Sequence, residues 1–154
     1  MSDIAGILAR EIELVSRFIS LLDNEQDSLK RADADSLQAI TAEKGPLIAL
    51  MNGAEAERTA ALGAVGHPDA KSGMQRWLAD NAGDAAAAAN WRKLLELARE
   101  AKTLHDLNIQ LVAMHLKNAT EALAILTQPP ESSSLYGSSG QTMSSSGSRI
   151  VDSA

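Results

Sequence analysis

The sequence predicts an all-α fold: an antiparallel bundle of three long helices plus one short helix, with a flexible Ser/Gly-rich C-terminal tail. Three observations predict it. Apolar residues make up 45% of the 154 residues and aromatic residues only 3%, with alanine and leucine, both good helix formers, far more common than β-branched residues. Apolar positions recur every three or four residues over long stretches. The composition then changes abruptly after Pro129-Pro130.

The first long helix is predicted from about Asp3 to Lys30. Its apolar residues follow a seven-residue repeat with spacings of three and four, and charged residues take the opposite face. The repeat consists of Ile4, Leu8, Val15, Phe18, Leu22 and Leu29. This pattern indicates one amphipathic helix of roughly 40 Å.

A short polar turn separates the first helix from the second, and Asp33 or Asp35 is expected to cap the free amides of the second helix. Gly45-Pro46 lies inside this second helix. Its apolar series keeps the same phase on both sides of the proline, so we expect a kink near Lys44 rather than an end. The segment 63–68, with two glycines and a proline, then stops the helix.

The remaining helices are a short one at 72–81 and a long one from near Asp84 to about Thr127. Ser72 and Gln75 have the spacing of a capping box at the start of the short helix. Trp77 and Trp91 are interpreted as core residues, with a role as binding anchors as the alternative. The bundle is thus predicted to occupy residues 1–128 and the tail residues 129–154. The tail has too few apolar residues to offset the entropy of ordering it.

Charge and composition argue against several classes of function. The formal net charge is −6, and no basic block is present, so no nucleic-acid binding is expected. No apolar run is long enough for a transmembrane helix, and the start lacks a basic signal-peptide region, so no membrane insertion is expected. Cysteine is absent, which is compatible with a reducing cytoplasm.

The sequence shows no sign of an enzyme, a metal site or a cofactor. It contains no glycine-rich phosphate loop and no motif of a hydrolase or metalloprotease. No glutamate stands three residues before His67, His105 or His115, as the metal ligands of helical di-iron proteins require. His105 and Asp106 are adjacent, but neighbouring residues on a helix diverge by about 100°, so they are not expected to share a site.

The long last helix carries the predicted binding surface. At about 43 residues against about 28 for the first helix, it would extend past its shorter partners in an antiparallel bundle. An apolar stripe at the end left uncovered would need a partner helix. The stripe comprises Leu111, Val112, Leu116, Ala119, Leu123 and Leu126. Self-association into a homodimer through the same stripe remains an alternative. Asn108, on the inner face, is interpreted as a residue that fixes helix register, with a partner contact as the alternative.

Three stretches resemble the FlgN family of flagellar export chaperones. Residues 37–44, followed by Leu47 and Leu50, are similar to the family's ITxEK…LL pattern. The stretch that leads from Trp91 through residues 101–108 is similar to its LRDLN segment. The most specific match is Leu135-Tyr136-Gly137-Ser138-Ser139-Gly140-Gln141-Thr142, which is similar to the family's LYGxxGQT motif after a break containing proline. The resemblance extends over nearly the whole chain. Gly45-Pro46 and the weakly basic end at 148–151 depart from the pattern.

The resemblance implies a cytoplasmic chaperone that visits the flagellar export apparatus transiently. It would bind the hook–filament junction proteins FlgK and FlgL, prevent their premature assembly, and deliver them to the export gate protein FlhA without using a nucleotide or other cofactor. The stripe would bind the junction proteins. The gate contact would be made by Leu135, Tyr136, Gly137 and Gly140. A helical scaffold or signalling adaptor whose tail acts as a docking peptide is the alternative function.

Overall fold

The computed structural model describes residues 3–128, which form four α-helices and contain no strand. The helices are α1 (Ile4–Arg31), α2 (Ala34–Ala64), α3 (Gly73–Asp80) and α4 (Ala85–Leu126). The predicted all-α fold of three long helices and one short helix is confirmed. The chain divides after Val112 into two units, which are described separately although α4 is continuous across the division.

Helices α1 and α2 form a hairpin with a very short connection. The Gly6 amide donates to Asp3 Oδ1 at 3.0 Å and caps α1. Ala32 takes a left-handed conformation with φ of 53° and ends that helix. The Ser36 amide then donates to Asp33 Oδ1 at 3.2 Å, so Asp33 is the cap of α2. One residue therefore separates the end of α1 from the cap of α2, and the chain must reverse direction.

Three ion pairs join the hairpin in antiparallel order. Near the start of α1, Arg10 pairs with Glu57, and Glu11 Oε2 accepts from Arg58 Nε at 2.7 Å. Near its end, Glu25 Oε2 lies 3.0 Å from Lys44 Nζ. Later residues of α1 thus pair with earlier residues of α2, as in an antiparallel hairpin.

Helix α2 runs without a break through Gly45-Pro46, so the prediction that the proline does not end it is confirmed. Pro46 has no N–H to donate to the carbonyl one turn earlier. Leu47 beside it is buried, with 4% of its surface exposed, so this part of α2 remains packed within the fold.

Helix α4 runs parallel to α1 and antiparallel to α2, which completes an up–down–up bundle within the unit that ends at Val112. Asn90 Nδ2 donates to the Ala5 carbonyl at 3.1 Å, and Asn108 Nδ2 donates to the Leu22 carbonyl at 3.0 Å. The core between the helices is aliphatic, apart from Met74 and Trp77. Its buried members include Leu8, Val15, Ile19, Leu22, Leu62, Met74, Trp77, Ala87, Leu94, Leu97 and Ala101. Trp77 is therefore a core residue, and Trp91 packs against the core while half-buried.

The predicted capping box at the start of α3 is wrong. Ser72 makes no side-chain capping hydrogen bond: its backbone is helical (φ −113°, ψ −6°) where a capping residue is normally extended, and its hydroxyl donates to Asp69 Oδ2 at 2.7 Å. The chain turns tightly here, and a Cβ on Gly73 would lie only 2.7 Å from the His67 carbonyl oxygen. Glycine is the residue that allows this close approach.

Between residues 3 and 128, no helix combines the length and the apolar character needed to cross a membrane.

Candidate functional site

His105 and Asp106 are neighbours on α4, and the carboxylate of Asp106 is hydrogen-bonded to Lys102. Asp106 Oδ2 accepts from Lys102 Nζ at 2.8 Å, and this hydrogen bond lowers the pKa of the Asp106 carboxyl. His105 is exposed on the neighbouring face of α4. Within the described residues, no three histidine or carboxylate side chains are grouped so that they could hold a metal ion.

The most buried ion pair among the described residues, Glu11 with Arg58, lies between helices of the bundle. Glu11 has 7% and Arg58 13% of its side chain exposed, and the Arg58 guanidinium also lies 5.1 Å from the centre of the Trp91 ring. Burial raises the pKa of the Glu11 carboxyl, and the hydrogen bond from Arg58 offsets part of that rise. Glu11, Arg58 and Trp91 come from α1, α2 and α4. The ion pair therefore joins α1 to α2, and the weaker cation–π contact joins α2 to α4.

Asn108 is buried, with 3% of its surface exposed. Its amide nitrogen donates to the Leu22 carbonyl at 3.0 Å and to Glu25 Oε1 at 2.8 Å. Both partners lie on α1, so the interpretation that Asn108 fixes helix register agrees with the contacts. The two acceptors also fix the orientation of the amide, because turning it over would bring Oδ1 against two oxygen atoms.

Replacing Asn108 with aspartate should therefore destabilise the bundle well beyond the loss of one hydrogen bond. A carboxylate oxygen would face the Leu22 carbonyl and the Glu25 carboxylate, and we expect a loss of about 2–3 kcal/mol at neutral pH. The loss should shrink as the pH falls, because a protonated aspartic acid can donate again. Urea unfolding at several pH values measures both effects.

Asn90→Asp is the matched control. Asn90 also donates from α4 to a carbonyl of α1, at 3.1 Å, but it is only half-buried. A loss of about 1 kcal/mol is expected there. Equal losses of stability for Asn108→Asp and Asn90→Asp would show that the Glu25 carboxylate does not add to the cost of replacing Asn108.

Two residues of the predicted stripe end the first unit. Leu111 is half-buried, and Val112 has 50% of its surface exposed. Val112 lines a shallow groove together with Lys44, Asn108 and Ile109. The two stripe residues thus differ in accessibility, and Val112 is the more open of the two.

The other four stripe residues lie in the second unit and are all exposed. The exposed fractions are 66% for Leu116, 61% for Leu123 and 80% for Leu126, and Ala119 is exposed as well. Their spacings of three, four and three place them on one face of α4. A contiguous apolar face of this kind is a candidate binding surface.

Two further large apolar residues of the second unit are exposed and were not part of the predicted stripe. Met114 has 49% and Ile125 71% of its surface exposed. Neither residue fits the spacing of three and four residues that defines the stripe, so a search for one apolar face omits both. The signal that could have found them is the shortage of charged residues between 113 and 126. The predicted gate contacts Leu135, Tyr136, Gly137 and Gly140 lie outside the described residues.

The comparisons with known proteins give one match. The family model described as FlgN protein matches residues 1–144, which is nearly the whole chain. No curated protein and no solved structure matches it. Together with the helical fold, this match shows that the chain belongs to the FlgN family of flagellar export chaperones.

Proposed function

We propose that the chain is the export chaperone of the hook–filament junction proteins FlgK and FlgL. In this role it binds them in the cytoplasm, prevents premature assembly, and delivers them to the export gate protein FlhA at the export apparatus. Membership of the FlgN family supports a flagellar export chaperone in general. The choice of partners follows from the resemblance of the helical segments and the tail motif to the family pattern.

The observation that carries the proposal is the exposed apolar stripe of α4. Leu116, Leu123 and Leu126 are each more than half exposed, and a buried leucine contributes about 1.5–3 kcal/mol relative to an exposed one. A partner that covers them gains this free energy, and an amphipathic helix has the matching shape. We assign Leu111, Val112, Leu116, Ala119, Leu123 and Leu126 to binding of the junction proteins. The chaperone acts by binding alone, without a catalytic step or a cofactor.

A pull-down from flagellated cells tests this function. The tagged chain should recover FlgK and FlgL, and recovery of a kinase or receptor in their place would favour a signalling adaptor. Self-association through the stripe is the other competing outcome. Sedimentation of the purified chain tests it, because a dimer that persists in excess FlgK would mean that a second copy, not the substrate, covers the stripe.

The tail, residues 129–154, is the part that we assign to gate docking. Tyr136 is an aromatic residue within a segment rich in serine and glycine, and aromatic anchors contribute a large share of the binding energy at interfaces. Gly137 and Gly140 on either side of two serines allow tight turns beside the ring, and Leu135 adds an apolar neighbour.

Tyr136→Ala should weaken docking to FlhA by about 1–3 kcal/mol, which is about ten- to a hundredfold in affinity. Binding of the junction proteins should change little, because the stripe lies elsewhere in the sequence. Calorimetry of the chaperone–FlgK complex with the cytoplasmic domain of FlhA measures the effect. Tyr136→Phe, which keeps the ring, is the control and should dock almost normally. An alanine variant with unchanged gate affinity would refute the assignment.

A further inference from the structure

The core-facing residues of α4 follow a seven-residue repeat in the first unit. Their spacings alternate between three and four, and all are buried except Leu104, which is half-buried and packs against the core. The repeat consists of Leu94, Leu97, Ala101, Leu104 and Asn108. Since Asn108 donates to Leu22 and Glu25 of α1, this repeat lies on the side of α4 that packs within the bundle.

A second repeat with the same alternating spacings begins one residue after Asn108. Ile109 is not part of the predicted stripe, but it stands three residues before Val112 and so continues the spacing of the stripe toward the start of α4. We call the second repeat the outer seam, and all of its members are exposed. They are Ile109, Val112, Leu116, Ala119, Leu123 and Leu126.

The helices of the first unit do not cover the start of the outer seam. A shift of one residue turns the side chain by about 100° around an α-helix, so Ile109 points away from the α1 contacts of Asn108. Ile109 has 53% and Val112 50% of its surface exposed. The outer seam therefore has no partner helix from the first unit at these two positions.

No lysine, arginine or carboxylate flanks the outer seam. In a heptad repeat, the positions on either side of the apolar positions are the ones that form ion pairs with a partner helix. Lys117 and Glu121 occupy other positions of the repeat and point away from the seam. The flanking positions hold Asn108, Ala113, His115, Thr120, Ala122 and Thr127.

The two threonines among these flanking residues satisfy their hydroxyls within their own helix. Thr120 Oγ1 donates to the Leu116 carbonyl, and Thr127 Oγ1 donates to the Leu123 carbonyl, both at 2.9 Å. Hydroxyls bonded to the backbone in this way need no polar partner from outside. A partner helix can therefore pack closely beside them.

We propose that the exported junction protein binds with one helix whose apolar residues also repeat every seven positions, packed along the outer seam from Ile109 to Leu126 in the manner of a coiled coil. A strict seven-residue repeat makes the two helices supercoil, which keeps the seam in contact over about 27 Å. Apolar contacts provide the affinity, and ion pairs do not. The inference rests on the proposed function, since it describes how that same partner is recognised.

The small residue in the middle of the outer seam favours a different chain over a second copy in parallel register. Ala119 lies between Leu116 and Leu123 in the repeat. Two parallel copies would place one Ala119 beside the other and leave a gap, which costs stability. A helix of the exported protein can fill this space with a large apolar side chain.

Ile109→Gln and Leu107→Gln are the matched variants that test the outer seam. Leu107 is 42% exposed and points to the opposite side of α4, and glutamine is polar and a good helix former. Titration calorimetry with purified FlgK measures each affinity, and circular dichroism checks that the helix is retained. We expect Ile109→Gln to weaken binding by about tenfold and Leu107→Gln by less than about twofold.

The salt dependence of binding tests the apolar character of the seam. Salt screens charges between the partners but not apolar contacts. The affinity of the natural chain for FlgK should therefore change by less than about threefold between about 50 and 500 mM NaCl. A fall of more than about tenfold would overturn the inference, because ion pairs would then provide much of the affinity.

The possible failures can be told apart with Leu123→Gln as a third variant. Normal binding by Ile109→Gln together with weak binding by Leu123→Gln would overturn the outer seam and leave the proposed function intact. Normal binding by both would overturn both. Equal weakening by Ile109→Gln and Leu107→Gln would also overturn the seam. So would a dimeric chain that becomes monomeric with Ile109→Gln while FlgK affinity is unchanged, since a second copy would then cover this face.

Discussion

Changing Leu123 and Leu126 together to aspartate is expected to abolish the complex with the junction proteins while the helical fold survives. The two side chains are 61% and 80% exposed in the free chain, so their replacement removes little from its core. Their burial by a partner is worth about 3–6 kcal/mol in total. Two carboxylates placed in that interface would add a desolvation cost. The affinity should therefore fall by more than about a hundredfold.

The matched control changes Ile48 and Leu50 of α2 to aspartate. These residues are 41% and 53% exposed, so the same chemical change is made on an apolar surface outside the stripe. Calorimetry with FlgK should show near-normal affinity for this control, and circular dichroism should show retained helix for both proteins. Normal binding by the Leu123 and Leu126 variant would mean that the stripe is not the substrate surface.

Arg58→Leu is expected to destabilise the bundle by about 3 kcal/mol at neutral pH, because it leaves the buried Glu11 carboxylate without a partner. Arg58 also loses its position 5.1 Å from the Trp91 ring. Changing both residues to leucine removes the unpaired charge as well, so the double variant should be within about 1 kcal/mol of the natural chain. Urea unfolding of the single and double variants measures these differences.

The pH dependence gives this prediction a second signature. The pKa of Glu11 is already raised above its ordinary value of 4.5 by burial, and loss of Arg58 raises it further. A carboxyl with a raised pKa in the folded chain favours the fold most below its ordinary pKa, and this contribution is lost as the pH rises through the folded value. The defect of Arg58→Leu should therefore be small near pH 4 and grow toward neutral pH.

The neighbouring pair Arg10–Glu57 provides the control. Its side chains are 58% and 53% exposed, so Arg10→Leu should cost less than about 1 kcal/mol and show little dependence on pH. Equal losses for Arg10→Leu and Arg58→Leu would show that burial does not set the importance of the Arg58 pair.

The helices could be predicted from the sequence because their apolar spacing is a local property. The observed lengths of α1 and α4, 28 and 42 residues, match those expected from the pattern. The position of α3 was predicted correctly, but the capping hydrogen bond was not, because the backbone of Ser72 is helical rather than extended and the spacing of a capping box does not report backbone conformation.

Contacts between distant residues could not be predicted in this way. Glu11 and Arg58 are 47 positions apart, and Asn108 and Leu22 are 86 apart. Which residues meet depends on the relative shift of whole helices, and a shift of one turn would leave each amphipathic pattern unchanged. The sequence therefore indicated that Asn108 faces inward but not which atoms it would contact.

The candidate binding surface was predicted only in part. Spacing identified Leu116, Ala119, Leu123 and Leu126, and the structure shows all four exposed. Met114 and Ile125 were missed because they lie on the side of the helix that carries Glu121, away from the stripe. Binding of the junction proteins by the stripe remains a prediction, and so does the role of Tyr136.

Calorimetric titration of the full chain with purified FlgK, and separately with FlgL, tests the central claim most directly. If the chain is their export chaperone, each titration should show saturable binding with a Kd of about 1 μM or lower. No measurable heat and no co-elution on a sizing column at about 100 μM of each protein would contradict it, since chaperoning of these substrates requires a complex that forms at lower concentrations.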